Sequence, residues 1–274
     1  MERKELLQKL NLSTFVAFDF ETTGLDSEND KVIEVAAIKF VDGEIENRYV
    51  ELVNPGFKIP HVITEITGIS NSMVISSPSE ELIIDDLLSF ISDYPLVAHN
   101  INFDKKFLLE MCKRLGREYK SNNEYDTLQL ARSVLFEQPV FNLGALSEYF
   151  NLSSKGAHRA ESDTENTGLI FLELLDELAK YPLDLISKVN GILKGTNIPN
   201  QKLYADLASE LTKIGDVKSG LNSFIEIRKP KVNTFLHLGE YDISDINADD
   251  VFGVGGMLSK SHPNFENRPN QQRY

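Results

Sequence analysis

The chain has 274 residues, 41% apolar and 9% aromatic, a composition that builds one large or two small globular domains and excludes disorder throughout. The formal net charge of -14 is uneven: residues 1–190 carry 18 Lys and Arg against 32 Asp and Glu, and residues 191–274 carry 10 against 10. That argues against a broad basic surface gripping duplex backbone, yet leaves room for a small site where bound divalent cations reverse the local sign.

The single cysteine, Cys112, excludes an intrachain disulfide framework and a cysteine-based zinc site. The polar start MERKELLQKLNLS is no signal peptide, and no window approaches 18 consecutive apolar residues, so no membrane contact and a reducing, cytoplasmic setting are expected.

A short amphipathic helix opens the chain, and three strands follow at 14–20, 31–41 and 44–53. Asp42-Gly43 reads as a tight turn between the last two, so the sheet starts antiparallel. NPGFKIP is a turn-rich connection. PSEELIIDDLLSFISDY predicts a helix with Ser79 as N-cap, Glu80 and Glu81 in its first turn, and Leu82, Ile83, Leu87, Leu88 and Ile91 at helical spacing. PLVAHN is a short buried strand. FDKKFLLEMCKRLG is a helix with Phe103, Phe107, Leu108, Met111, Cys112 and Leu115 on one face and Gly116 at its stop, which makes Cys112 a core thiol.

YDTLQLARSVL joins a strand end to a helix, NLGALSEYF is another short helix, and SKGAHRAESD is a loop. SDTENTGLIFLELLDELAKY is a long helix opened by acids and closed by Lys180. Strands and helices in this order predict an α/β domain over residues 1–182. Residues 183–274 read as a connector, with a helix at 200–213, and the beginning of a further module.

Asp19 and Glu21 stand two positions apart in the apolar run FVAFDFETTGLD, so a strand points both to one side of the sheet. Two buried acids repel and are costly to desolvate, and a divalent cation relieves both problems. Asp104 begins a helix after PLVAHN, and Asp163 begins the long helix; each alone would serve equally well as a helix-terminal acid. Together the four suit Mg²⁺ or Mn²⁺, which take oxygen ligands, and around two such ions they would clamp a phosphoryl transfer. His158 titrates near neutrality and could accept the proton of an attacking water. It must do so from the loop AHRAE, since five residues on one helix would turn it about 140° from Asp163. A lone loop histidine is more often structural or merely exposed than catalytic, and His61 and His99 are read that way.

With these residues the chain resembles the DEDDh 3′→5′ exonucleases, the DnaQ-like branch of the ribonuclease H-like superfamily that includes the proofreading epsilon subunit of bacterial DNA polymerase III. DFETTG matches the first family motif, HNINFD the second, HRAESD the third, and YDTLQLAR the aspartate-threonine segment between them, in family order across residues 14–180. The resemblance implies an α/β fold with a mixed five-stranded sheet and flanking helices, plus a C-terminal extension, and two divalent cations, Mg²⁺ or Mn²⁺. It implies that Asp19 bridges both ions, that Glu21 and Asp163 hold the nucleophile-side ion and Asp104 the leaving-group ion, and that His158 is the general base. Thr22, Thr23, Gly24 and Leu25 would line the pocket for the 3′-terminal nucleotide. Ile66 and Thr67 would flank it, Asn100 and Phe103 would support the strand-to-helix junction, and Asp126 would stand behind the ligands.

The implied reaction is release of nucleoside 5′-monophosphates from the 3′ ends of single-stranded DNA, in DNA repair. The alternatives are a short-RNA exoribonuclease and a catalytically silent adaptor. Bound metal is expected to depress the acids' pKa values and to leave the metal-free protein less stable at low pH. FENRPNQ, residues 265–271, resembles the opening of DinG-type helicases, where an Arg-Pro-x-Gln segment begins the ATPase region. That implies the N-terminal exonuclease region of a Gram-positive protein with a helicase-like module in the same full-length chain. No G-x-x-x-x-G-K-[ST] segment occurs, so Arg268 and Gln271 are expected to have no ATP function in this polypeptide.

Overall fold

The computed structural model describes residues 2–119, 123–152 and 159–214. Helix α1 (Arg3–Lys9) leads into strands β1 (Thr14–Thr22), β2 (Val32–Val41) and β3 (Glu44–Leu52), paired antiparallel. Asp42 and Gly43, at φ +52° and +90°, turn β2 into β3 in the left-handed region that Asp tolerates and Gly favours. There follow α2 (His61–Thr67), α3 (Asn71–Val74), α4 (Glu80–Ile91), β4 (Leu96–Ala98), α5 (Ile101–Arg114), β5 (Glu124–Asp126), α6 (Thr127–Val134), α7 (Leu143–Tyr149), α8 (Ala160–Leu178), α9 (Leu183–Leu193) and α10 (Gln201–Ile214). The strand order is β3-β2-β1-β4-β5, with β4 parallel to β1 and β5 parallel to β4. This is the mixed five-stranded sheet with flanking helices that the motifs imply.

Period-two alternation divides β1 between two cores. Phe15 and Ala17 join Ile38 and Phe40 of β2 under α1, α6 and α8, whereas Val16, Phe18 and Phe20 join Val35 and Ala37 under α4 and α5. Asp19 and Glu21 continue the first series, so they lie on the side that α8 covers. Phe15 stacks on Phe40 at 4.9 Å and meets Phe171 of α8 edge-on at 5.3 Å. A Cβ at Gly168 would lie 2.2 Å from Phe40 Cε2, so the bare glycine is what lets α8 lie close to the sheet.

Several elements differ from their sequence expectations for local reasons. β1 runs on to Thr22 because Glu21 still pairs with Glu34, and the register breaks only after it. Ser79 precedes α4 without a side-chain cap bond, and Glu80 is not a solvated first-turn acid. Glu80 is buried, paired with Lys31 at 3.1 Å and Arg114 at 2.9 Å, and accepts from Val32 N at 3.4 Å. The short helices α2 and α3 lie between NPGFKIP and α4, a stretch to which the sequence patterns assign no element. Cys112 is buried, as expected.

α10 covers almost the stretch expected to be helical, and α9 adds a helix before it. Ile186 of α9 and Leu203, Tyr204, Leu207, Ala208 and Leu211 of α10 are buried in the same core as α6 and α8. Tyr204 Oη lies 2.6 Å from Ser133 Oγ of α6. Among the described residues no helix is long and apolar enough to cross a membrane. FENRPNQ, with Arg268 and Gln271, lies outside the described residues.

Candidate active site

β1, α5 and α8 each contribute acids to one cluster. Asp19 and Glu21 come from the end of β1, opposite Ala36 and Glu34 of β2. Asp104, 2% exposed, stands in the first turn of α5, and its Oδ1 accepts from Phe20 N at 3.0 Å, which ties the helix start to the strand carrying the other two acids. Asp163 occupies the first turn of α8. Asp19, Glu21 and Asp163 remain partly open to the surface.

The electrostatics report how closely these groups meet. Burial first, then the charges of Asp163 and Glu34, pushes Asp19 up to about 7. Burial first, then Asp19, Asp163 and Glu34, pushes Glu21 up to about 8, opposed by Arg159. Asp104 is raised well above the usual carboxylate range by burial and then by Asp19, against the pull of the Phe20 N–H. All four acids expected from the sequence are therefore brought together.

Among the described residues no group of three or more His, Cys, Asp or Glu stands ready as a metal cage. What fits a divalent cation is the donor chemistry: carboxylate oxygens only, held partly desolvated against one another's charge. For Asp19, Glu21 and Asp104 these shifts run against the expectation of a metal-free protein weakened at low pH, because acids held protonated are destabilising when they ionise, not when they are neutral.

Two residues that the sequence reading passed over complete the cluster. Glu34, 1% exposed, accepts from Arg159 Nη2 at 2.5 Å and from Ala160 N at 3.0 Å, so a carboxylate on β2 caps α8 and carries the cation that offsets Glu21. Its signal was available: an acid inside the apolar run KVIEVAA is the same anomaly as Asp19 in its own strand. His158, the expected general base, lies outside the described residues.

The expected substrate loop follows Glu21 directly. Thr22 Oγ1 donates to Gly24 O at 2.6 Å and Thr23 Oγ1 donates to Asp30 Oδ1 at 3.0 Å, so both hydroxyls are spent within the loop. Asp30 Oδ2 accepts from Asp26 N at 3.0 Å and packs so tightly on Gly24 that a Cβ there would meet it at 2.3 Å. Leu25 is thereby presented 86% exposed on a braced loop.

On α2, Ile66 is 58% exposed, while Thr67 is buried, donating to Ile63 O at 2.9 Å and accepting from Ile69 N at 3.1 Å. Ile63 and Ile69 of that segment pack with Ile33, Ile59 and Val74. Asn100 adopts φ +69° and ψ +52° at the start of α5, and Phe103 packs at 5.1 Å from Phe107. Asp126 holds the junction by accepting from Asn100 N at 3.2 Å. His99 is structural as expected: its Nδ1 is 2.9 Å from Thr127 Oγ1, and burial holds it down to about 4. His61 is exposed beside Glu65.

The exonuclease family model RNase_T matches residues 16–171. The chain is 35% identical over 223 residues to the PolC-type DNA polymerase III of Caldanaerobacter subterraneus subsp. tengcongensis, covering 81% of this chain and 16% of that protein. It is 31% identical over 274 residues to the 3′-5′ exonuclease DinG of Bacillus subtilis, covering 96% of this chain and 28% of that protein. The chain thus spans less than a third of the length of either relative. E. coli exonuclease I, solved in complex with a dA16 oligonucleotide, aligns with a TM-score of 0.54 at 20% identity over 61% of this chain and 43% of that one, a likeness of fold.

Proposed function

The chain belongs to the exonuclease family, and from that premise we propose that it hydrolyses the terminal phosphodiester at the 3′ ends of single-stranded DNA and releases nucleoside 5′-monophosphates. The observation that carries this reading is the meeting of carboxylates from β1, α5 and α8, where burial and then the neighbouring acids push Asp19 up to about 7 and Glu21 up to about 8. Divalent cations, Mg²⁺ or Mn²⁺ and two in number, would supply Lewis-acid charge for the phosphoryl group and for ionising water. Asp19, Glu21, Asp104 and Asp163 would hold them.

The chain's own groups would do the rest. The braced backbone around Gly24 meets the terminal 3′-OH, and Leu25 presses on the last base, a contact indifferent to base identity. Ile66 extends that apolar flank. Asn100 and Phe103 hold the junction from which Asp104 projects. His158 takes the proton from the attacking water, a role supported by the motif HRAESD and by the neutral range of imidazole. The match to the 3′-5′ exonuclease DinG across 96% of this chain and 28% of that protein supports the helicase-like module that FENRPNQ implied. The single cysteine agrees with a cytoplasmic setting.

The test is release of labelled 5′-monophosphate from 3′-labelled single-stranded DNA with Mn²⁺ present. Wild type is expected to release it, and Asp19→Ala or Asp163→Ala to slow release by about 10³-fold, as fits loss of several kcal/mol of charge stabilisation. No release by wild type, or full activity in Asp19→Ala, overturns the reading. DNA and RNA oligomers of equal length in competition test the sugar preference, and preference for RNA would turn the protein into the exoribonuclease alternative.

A further inference from the structure

β5 is the last strand of the sheet, and its free edge exposes backbone groups that need partners. Asn200, in the loop before α10, supplies them. It is 4% exposed and left-handed at φ +70°. Its Oδ1 accepts from Asp126 N at 3.0 Å, its Nδ2 donates to Asp126 O at 3.0 Å, and its own N–H donates to Glu124 O at 3.3 Å. One side chain thus closes the end of the strand as a neighbouring strand would.

The residue it clips is the one whose side chain organises the start of α5. Asp126 Oδ1 accepts from Asn100 N at 3.2 Å, and from Leu128 N and Gln129 N at 2.9 and 3.2 Å. Asn100 is itself left-handed, an unfavourable conformation for a residue with a Cβ, and its amide bond to Asp126 helps to hold it there. That conformation sets the direction in which α5 leaves β4. Four residues along the helix is Asp104, bonded to Phe20 N beside Asp19.

We propose that Asn200 is a positioning residue for the exonuclease reaction, acting through Asp126 and Asn100 on the placement of Asp104; the inference rests on the functional reading above. The α9–α10 pair is then more than packing: the loop leading into α10 holds one corner of the acid cluster. A carboxamide suits the task because it offers one acceptor and one donor to the N–H and C=O of a single residue. Alanine at this position would remove the partner of the buried Asp126 N–H and the second donor to its carbonyl.

The experiment compares Asn200→Ala with Leu211→Ala in the full 274-residue chain. Leu211→Ala weakens the same helix pair without touching Asp126. Three quantities are read at a temperature where both variants are folded: amide hydrogen exchange at Asn100, the Mn²⁺ affinity of the metal-free protein by calorimetry, and the Mn²⁺ concentration giving half-maximal nuclease rate. Asn200→Ala is expected to lose protection at Asn100 and to weaken Mn²⁺ in both assays by about tenfold, the scale of losses at groups behind metal ligands. Leu211→Ala is expected to lower the melting temperature and leave all three at wild-type values. If wild type binds Mn²⁺ and degrades DNA while Asn200→Ala lowers only the melting temperature, the positioning role is overturned alone. If wild type does neither, the functional reading falls and takes this role with it.

Discussion

Asp19 and Glu21 would be fully ionised in water at neutral pH, and the fold works against that. In the unfolded chain such groups titrate at about 4; in the folded, metal-free protein burial and neighbouring acids carry them to about 7 and about 8. Between those limits the folded state keeps protons that the unfolded state has released, so stability falls as pH rises. The cost is absent below the unfolded values and complete above the folded ones. Other acids slope the opposite way, so the comparison must isolate one group. Asp19→Asn should melt above the wild type by a small margin at pH 5, where Asp19 is ionised only in the unfolded chain, and by a margin wider by on the order of 5 °C at pH 8.5 without divalent ions. Saturating Mn²⁺ should stabilise the wild type more at pH 8.5 than at pH 5, and Asp19→Asn much less at either. Melting curves in a chelator across that range measure this, and a constant difference between the two proteins would remove the strain assigned to Asp19.

At the scale of elements, α8 is docked at two points with Asp163 between them. Its N-terminus is held by Glu34, through Arg159 and Ala160 N, and its middle rests on Phe40 at Gly168. Alanine is the better helix former by about 1 kcal/mol, yet its Cβ would fall 2.2 Å from Phe40 Cε2, on a ring itself fixed by stacking on Phe15. Overpacking of this kind costs about 1–3 kcal/mol, so Gly168→Ala should be destabilised in urea by up to about 2 kcal/mol net, with kcat lowered because the helix carrying Asp163 is displaced. Adding Phe40→Leu should recover part of both, and a Gly168→Ala protein more stable than wild type would show that α8 has slack against the sheet. These docking points also mark what the sequence could reveal. The acids of α8 and its apolar period were legible because they are local, and Asp19 with Glu21 announced themselves as charges in an apolar strand. The true start of α8 was hidden because the group that caps it, Glu34, is 126 residues away in sequence. The helices α2 and α3 escaped because 7 and 4 residues are too few for a 3.6-residue period to declare itself.

For the molecule as a whole, the open question is where the nuclease unit ends. Composition changes near residue 182, and turn-rich sequence after it suggested a connector; the contacts that bind this stretch are long-range and therefore invisible in its own residues. Leu203, Tyr204, Leu207 and Leu211 of α10 are buried in the core that α6 and α8 share, Tyr204 meeting Ser133 across 71 residues of sequence, and Asn200 pairs with the edge of β5. Burying a leucine is worth about 1.5–3 kcal/mol, and ordering the two helices offsets much of the sum. A net contribution of about 3 kcal/mol to a unit of this size corresponds to about 6–12 °C in melting temperature. A fragment ending at residue 182 should therefore melt that far below one ending at residue 214. It should also bind a dye specific for exposed apolar surface, because the faces of α6 and α8 that α10 covers would be bare. Equal melting temperatures, with no added dye binding, would return α9 and α10 to the status of a connector and leave the acid cluster to the first 182 residues alone.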